Sequence, residues 1–158
     1  MEVEENLQLI RARYDAVNAY DLDRFQGFYT DSTVWNDPGL PAPITGASAV
    51  RERLDVLTTA FPDLHWKLDR IFGQGENVCA EFTFTGTHRG VLPDNTGEES
   101  VSATNKPVQI EACGIYVVRE GKNNRFENLL RLWAAYIANT EVMISVIQRS
   151  QKTQRRRS

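Results

Sequence analysis

The stretch Glu76–Gly90, ENVCAEFTFTGTHRG, decides how the rest of the chain is interpreted. Apolar side chains alternate with polar ones along it, which is the period-two pattern of a half-buried β-strand. The apolar set is Val78, Ala80, Phe82 and Phe84. If the same alternation continues past Gly86, the next core-facing position is His88. We therefore expect a strand whose core face ends on a histidine that looks into whatever this face encloses. The alternative is a loop histidine or a hydrogen-bonded core histidine.

The composition is that of an ordinary globular domain. Of the 158 residues, 41% are apolar and 25% are charged, which suits one domain with a substantial core. We expect residues 1–150 to form that domain and residues 151–158 to be a basic, disordered tail. The formal net charge of -3 argues against nucleic-acid binding. Without a leader or an apolar run of membrane length, we expect a cytoplasmic protein with no membrane contact.

The cysteine and histidine usage does not predict a metal site. Cys79 and Cys113 have neither a CxxC nor a Cys/His ligand spacing, and both fall within predicted strands. Such usage is typical of a reducing compartment. With two histidines and no HExxH motif, we do not expect zinc.

Three helices are predicted in the first part of the chain. Apolar residues recur at helical spacing over Glu4–Asn18, after Asp21 and over Ala47–Ala60. Between the second and third helices, Thr33–Trp35 is expected to be extended. The following Asn36–Gly39, NDPG, has the residues of a tight turn.

Four strands are predicted after the helices, and a short helix is predicted to begin at Asn139. Besides the stretch quoted first, the strands are Leu64–Phe72, Val108–Val118 and Arg125–Tyr136. Val91–Lys106 lacks periodicity and is expected to be a long surface loop, which would suit a lid, an interface flap or a mobile segment. Strands segregated after helices indicate an α+β fold, in which the helices cover one face of a curved antiparallel sheet.

Three motifs in this order resemble those of the SnoaL-like polyketide cyclase group of the NTF2-like superfamily. They are FPDLHW at Phe61–Trp66, FTGTHRG at Phe84–Gly90, and REGK at Arg119–Lys122 followed by Glu127. The resemblance covers almost the whole chain. It implies a cone-shaped NTF2-like α+β barrel, in which a bent antiparallel sheet wraps around the N-terminal helices and encloses a pocket. It also implies a homodimer formed through the outer sheet face, and acid/base chemistry on a buried substrate without a metal or organic cofactor.

The chain differs from the family pattern at two positions. Gly114 stands where the family often has an acidic residue or a histidine, and Trp133 stands where an aspartate often ends the last strand. The carboxylate of the usual aldol cyclase therefore has no obvious counterpart. Epoxide opening, dehydration and isomerisation stay open beside carbon–carbon bond formation. Outside the enzyme class, the alternative is a ligand-binding or dimerisation module.

The candidate catalytic residues are His88, Glu127 and Asp37. Glu127 matches the family's glutamate after the GK turn, and burial in an apolar cone would raise its pKa toward the range of a general acid or base. His88, whose ordinary pKa is near neutral, is the natural second member of the pair. The structural alternative is an ion pair of Glu127 with Arg131 at the sheet surface. Asp37 matches a family carboxylate at the pocket mouth, although NDPG suffices as a turn.

Aromatic residues and one arginine supply the predicted walls of the pocket. We expect a flat, largely apolar ligand to be bound by Tyr14, Trp35, Phe82, Tyr116, Arg131 and Trp133. For Phe82, a place in the ordinary core is the alternative. The predicted function is that of a cofactor-independent cyclase or isomerase, which acts by acid/base catalysis on a small hydrophobic, polyketide-like natural-product intermediate.

Overall fold

The computed structural model describes residues 3–37, 40, 42–93 and 100–130, and for residues 123–130 it describes the course of the backbone. The helices are α1 (Val3–Asn18), α2 (Leu22–Gln26) and α3 (Ala47–Ala60). The strands are β1 (Tyr29–Asn36), β2 (Ile44–Thr45), β3 (His65–Gln74), β4 (Asn77–Thr87), β5 (Leu92–Pro93), β6 (Ser100–Val101), β7 (Pro107–Arg119) and β8 (Lys122–Leu130).

Each helix buries the stripe that its apolar spacing defines. In α1 this stripe includes Ile10, Tyr14 and Val17, spaced by four and three residues. The short α2 begins after Asp21, whose side chain accepts a hydrogen bond from the backbone N–H of Arg24 over 3.0 Å. This is the bond by which an aspartate stabilises a helix N-terminus. The three predicted helices are therefore confirmed.

Six strands form one sheet in the order β2-β1-β8-β7-β4-β3. The neighbours β3, β4, β7 and β8 pair antiparallel, whereas β1 runs parallel to β8. Helices and a mostly antiparallel sheet confirm the α+β class. Two details of the prediction are wrong: the sheet is not wholly antiparallel, and it is not a closed barrel, because the edge strands β2 and β3 do not pair with each other in the described part of the chain.

The segment predicted as a structureless loop contains the two short strands β5 and β6. Leu92 of β5 pairs with Val101 of β6, and Leu92 is buried. A strand of two residues is too short for its periodicity to be read from the sequence. The predicted strand Arg125–Tyr136 overlaps β8 up to Leu130. Its remainder, the predicted C-terminal helix and the tail at 151–158 lie outside the described residues.

The core lies between the helices and one face of the sheet. Along β4 the even-numbered residues are buried and the odd-numbered ones are less so, as the opening pattern predicted. The same alternation holds in most of β7. Phe82 of β4 pairs with Ala112 of β7, and residues directly opposite in a ladder share a face. We call this surface, formed by the even-numbered residues of β4 and β7, the inner face, and the other surface the outer face.

Gly90 fixes how the end of β4 meets the end of α3. Its backbone N–H donates to the carbonyl of Ala60 over 3.1 Å, and the N–H of Arg89 donates to the same oxygen over 2.9 Å. A Cβ at position 90 would collide with the carbonyl of Thr59, lying 2.9 Å from its carbon atom, and would lie 3.1 Å from the Cα of Ala60. Because the obstacles are backbone atoms, no rotamer change relieves the contact.

Gly90→Ala should therefore lower the free energy of unfolding by about 2–3 kcal/mol, the upper range for forced overpacking. Gly75→Ala is the matched control, since position 75 has open space around it and a φ of +58°. That variant should lose only about 1 kcal/mol, the strain of a left-handed conformation. Urea unfolding measures both. Equal losses would contradict the close contact between α3 and the end of β4.

Candidate functional site

A buried arginine is surrounded by the aromatic side chains of the core. Arg13 of α1 is 0% exposed. Its guanidinium carbon lies 5.0 to 5.9 Å from the ring centroids of Tyr14, Phe25, Tyr29, Trp66 and Tyr116. Contacts of a cation with ring faces at this range stabilise its charge. Burial opposes that charge, but the phenol groups of the three tyrosines outweigh it, so the pKa of Arg13 lies above its ordinary value.

Three tyrosine hydroxyls are linked to this arginine. Arg13 Nε donates to the hydroxyl of Tyr29, and Nη1 donates to the hydroxyl of Tyr116 over 3.3 Å. The hydroxyls of Tyr116 and Tyr14 lie 2.8 Å apart. We call Arg13, Tyr14, Tyr29 and Tyr116 the tyrosine cluster. A guanidinium only donates, so the Tyr116 oxygen accepts from Arg13 and can direct its own hydrogen to the Tyr14 oxygen. The hydrogen of Tyr14 is then available to a further acceptor.

The environment keeps these phenols protonated. Burial raises the pKa of Tyr116 to about 12, with Arg13 acting in the opposite direction. Burial likewise raises the pKa of Tyr14 well above its ordinary value. At neutral pH both groups therefore donate hydrogen bonds and do not serve as bases.

Asp37 lies just after the end of β1, two residues beyond Trp35. We call residues paired directly across neighbouring strands a row. Trp35 pairs with Phe126 and Phe126 with Tyr116, so Trp35 and Tyr116 are in one row. Asp37 itself comes directly after Asn36, the last residue of β1. Its side chain is 12% exposed, and its carboxylate lies 3.9 Å from the guanidinium of Arg53 on α3, which is 14% exposed.

Asp37 and Arg53 form a mostly buried ion pair. Burial lowers the pKa of Arg53, with Asp37 acting against it. Arginine nevertheless stays protonated in proteins, so the carboxylate of Asp37 faces a cation. The backbone N–H of Leu40 donates to the carbonyl of Asp37 over 2.9 Å, and Pro38 and Gly39 of the predicted turn lie outside the described residues. Asp37 thus presents a mostly buried carboxylate.

His88 is buried near the far end of the inner face. It is 0% exposed, and its ring centroid lies 5.4 Å from that of Phe61. Its backbone N–H donates to the carbonyl of Lys106, and its carbonyl accepts from the N–H of Asn105. The backbone N–H of Thr104 donates to Nδ1 over 3.3 Å, which requires a lone pair there and assigns the proton of the neutral ring to Nε2.

The ring of His88 is uncharged at neutral pH. Burial lowers its pKa, and the backbone of Gly90 offsets this effect only in part. A neutral imidazole whose Nε2 carries hydrogen is a hydrogen-bond donor through that nitrogen.

The structure does not bring His88 and Asp37 together. Asn36, next to Asp37, lies in the row of Cys79, as the ladders through β8 and β7 show. His88 lies nine residues beyond Cys79. At about 3.3 Å per residue this corresponds to about 30 Å of chain along the strand, so the two residues lie near different ends of the ladder.

Glu127 is described by its backbone position. It pairs with Ile115, whereas Phe126 before it pairs with Tyr116. Position 127 therefore belongs to the row next to that of Tyr116. The common face of positions 88 and 127 stays a prediction. The catalytic role of Glu127 stays a prediction.

The described wall residues are all buried. They are Tyr14, Trp35, Phe82 and Tyr116. The rings of Tyr14 and Phe82 lie 5.4 Å apart, so the interpretation of Phe82 as core is compatible with a contact to the tyrosine cluster. Arg131 and Trp133 lie outside the described residues.

The sequence prediction missed two arginines, and one of them left a signal. Arg13 lies three residues after Ile10 and four before Val17, which is helical spacing within the buried stripe of α1. A charged residue at such a position has to be buried with partners or to end the stripe. Arg53 gave no comparable signal, because its contact with Asp37 joins separate elements.

Neither a metal site nor a membrane-spanning helix is found in the described ranges. No three residues among their His, Cys, Asp and Glu side chains are grouped so that they could hold a metal ion. No helix in this part of the chain is both long enough and apolar enough to cross a membrane.

The sequence and the fold both resemble known proteins. The family model of the SnoaL-like domain matches residues 10–126. No curated protein matches the chain by sequence. A protein of Jannaschia sp. CCS1, provisionally named a SnoaL-like polyketide cyclase, has a TM-score of 0.70 and 17% identity, over 91% of this chain and 92% of that one.

Two further solved structures are similar over nearly the whole chain. AclR of Streptomyces galilaeus, provisionally named a hydroxylase, has a TM-score of 0.69 and 18% identity, over 94% of this chain and 98% of that one. An LEH-like epoxide hydrolase of M. tuberculosis has a TM-score of 0.65 and 18% identity, over 100% of each chain. At such identities the likeness shows the fold alone.

His88 should titrate below about pH 6.5, the ordinary histidine value, in NMR spectra of the folded protein. The unfolded chain then binds its proton at a higher pH than the folded chain does. The stability contributed by the neutral ring is therefore complete above about pH 6.5 and is lost as the pH falls toward the folded pKa.

His88→Gln should remove this part of the pH dependence of unfolding, whereas His65→Gln, at an exposed position, should keep it. The two variants also assign the two histidine signals. A His88 pKa at or above 6.5 would contradict the burial of a neutral ring.

Tyr116→Phe should destabilise the protein by about 1–3 kcal/mol, because Arg13 and Tyr14 lose a buried hydrogen-bond partner. Tyr20→Phe is the matched control, since its hydroxyl donates to backbone carbonyls from a side chain that is 41% exposed. That variant should lose about 1 kcal/mol or less. Chemical denaturation compares the two. A Tyr116→Phe variant as stable as the wild type would contradict the hydroxyl network.

Proposed function

We propose that this chain, which belongs to the SnoaL-like domain family, is a cofactor-independent cyclase or isomerase. The proposed substrate is a small hydrophobic, polyketide-like intermediate. The observation that carries the proposal is the hydroxyl contact between Tyr14 and Tyr116, which is polarised by the buried Arg13. Asp37 comes directly after β1, two residues beyond Trp35, which shares its row with Tyr116. A polarised donor and a carboxylate are the two groups that proton abstraction beside a carbonyl requires.

The proposed reaction begins with a carbonyl of the substrate accepting a hydrogen bond from Tyr14. The Asp37 carboxylate takes a proton from the adjacent carbon, and the electron pair of the broken C–H bond moves onto the carbonyl oxygen. An enolate and a protonated Asp37 result. In an isomerase Asp37 returns the proton to another carbon of the enolate. In a cyclase the enolate carbon bonds to a second carbonyl carbon, whose oxygen receives the proton.

Arg13 supplies the electrostatic part of this proposal. As negative charge grows on the substrate oxygen, Tyr14 strengthens its hydrogen bond, Tyr116 strengthens its bond to Tyr14, and Arg13 stabilises Tyr116. The donors are in place before the reaction, so little reorganisation is needed when the charge appears. The raised pKa of Tyr14 keeps its proton on the phenol, so the group stabilises the enolate without losing that proton.

Arg53 supports the proposed role of Asp37. The guanidinium, 3.9 Å from the carboxylate, forms an ion pair that holds the Asp37 side chain in place. The low exposure of both side chains limits the water that would compete for the carboxylate. Burial of the neighbouring aromatic rings suits a hydrophobic substrate.

The predicted pair of His88 and Glu127 is the competing assignment. The neutral ring of His88 carries its proton on Nε2, and its Nδ1 accepts from the backbone N–H of Thr104, so a proton taken from a substrate would have to replace that contact. Substitution at position 88 therefore separates the two assignments.

The test is the exchange of carbon-bound protons for deuterium, which needs no knowledge of the natural substrate. The protein is incubated in D₂O with β-tetralone, indanone and a cyclic β-diketone, and NMR follows the loss of the α-proton signals. Asp37→Asn should slow the catalysed exchange about 100-fold or more by removing the base. Tyr14→Phe should slow it about 100-fold by removing the donor.

The control variants fix the location of the chemistry. Asp55→Asn removes an exposed carboxylate from the helix that carries Arg53, and it should leave the exchange rate unchanged. His88→Gln should also exchange at the wild-type rate. Loss of exchange in His88→Gln, with retention in Asp37→Asn, would contradict the proposal and favour the competing assignment.

Epoxide opening is the alternative that the full-length match to an epoxide hydrolase favours. In that reaction Asp37 would take a proton from water while the water oxygen bonds to an epoxide carbon and the C–O bond breaks. The released oxygen, stabilised by a hydrogen bond from Tyr14, would then receive a proton from solvent to give the diol, and Asp37 would lose its proton to solvent. The same variants, incubated with aromatic epoxides in ¹⁸O-labelled water, test it by the label in the diol. Diol formation without α-proton exchange would replace the first proposal by this one.

A further inference from the structure

Two cysteine side chains meet on the outer face of the sheet. Cys79 of β4 and Cys113 of β7 are both partly buried thiols, and their Sγ atoms lie 3.1 Å apart. Cys79 pairs with Ile115, and Cys113 pairs with Glu81. The two cysteines are therefore diagonal neighbours on adjacent strands, on the side of the sheet opposite the tyrosine cluster.

We propose that Cys79 and Cys113 form a reversible disulfide within one chain when the protein meets a peroxide. In the first step one thiol loses its proton, its sulfur bonds to a peroxide oxygen, and the O–O bond breaks to release water and leave a sulfenic acid. In the second step the other sulfur attacks that sulfur, the S–O bond breaks, and a second water leaves. Two thiols are oxidised and one hydrogen peroxide is reduced to two waters.

The contact between the two sulfur atoms supports an intramolecular bond. The separation of 3.1 Å is shorter than the about 3.5–4.0 Å at which non-bonded carbon atoms pack. The strands that carry the two residues pair continuously from Asn77 to Thr87 on β4, so both backbones are held in place. A sulfenic acid on one cysteine is therefore already in contact with the other thiol, and no large movement of the chain is needed for the two to react.

The diagonal positions explain why the bond should be reversible. Diagonal residues of a regular ladder have Cα atoms about 7–8 Å apart. Disulfides usually join Cα atoms about 4.4–6.8 Å apart, so bridging these positions draws the strands toward each other locally. A disulfide formed under strain is more readily reduced than a relaxed structural one.

The disulfide would also affect the inner face of the sheet. Val78 precedes Cys79 and pairs with Tyr116, and Ala112 and Gly114 flank Cys113. A local movement of β4 against β7 would therefore displace the strand segment that carries Tyr116. The inference about the cysteines stands on their contact alone and does not depend on the proposed reaction.

The experiment exposes the folded wild-type protein to hydrogen peroxide and measures intact mass under non-reducing conditions. We expect a loss of about 2 Da per chain, the mass of two hydrogen atoms, and a fall of the titratable thiols from two to none. Peptide mapping should recover one linked pair that contains Cys79 and Cys113. Dithiothreitol should restore both thiols and the original mass.

Single variants provide the matched controls. Cys79→Ser and Cys113→Ser each keep one thiol and should gain oxygen under the same peroxide treatment instead of losing hydrogen. Far-UV circular dichroism verifies that each variant is folded. A wild type that gains oxygen like the single variants, that retains two thiols, or that forms a covalent dimer in place of the internal link would overturn the proposal.

Discussion

The buried guanidinium of Arg13 constrains everything around it. A charge removed from water is strongly unfavourable unless nearby groups replace the lost solvation. Here aromatic ring faces from α1, α2, β1, β3 and β7 surround the cation, and the hydroxyls of Tyr29 and Tyr116 accept its hydrogen bonds. The position of α1 over the sheet is therefore tied to polar contacts as well as to apolar packing.

This arrangement links stability to the proposed chemistry. Tyr116 accepts from Arg13 and can donate to Tyr14, so the group that holds the helix against the sheet also polarises a phenol. Asp37 is held in a similar way, by Arg53 of another helix and by the backbone hydrogen bond from Leu40. Each proposed functional side chain thus depends on a cation from a helix, and helix packing positions the donor and the base relative to each other.

Local sequence patterns were sufficient to predict the individual helices and strands. They did not predict how distant strands pair with each other. The alternation from Val78 to Phe84 predicted the buried face of β4, and helical spacing predicted α1 and α3. The parallel pairing of β1 with β8 joins distant segments and leaves no local signature. The alternation of apolar and polar residues defines the two faces of one strand. It does not show which of these faces lies on the same side of the sheet as a given face of another strand. Because the β7–β8 ladder shifts register between Val117 and Val118, the phase of Glu127 relative to His88 could not be read from the sequence.

The most direct measurement is the affinity for a planar aromatic oxyanion, with its neutral methyl ether as reference. A nitro-substituted naphthol, titrated calorimetrically above its own pKa, imitates the charge and shape of an enolate. If Arg13 and its tyrosines form a preorganised site for negative oxygen, the wild type should bind the anion at least about 10-fold more tightly than the ether, and Tyr14→Phe should lose that preference. Equal affinity of the wild type for the two compounds, or an unchanged preference in Tyr14→Phe, would contradict a preorganised site for negative oxygen at Arg13 and its tyrosines.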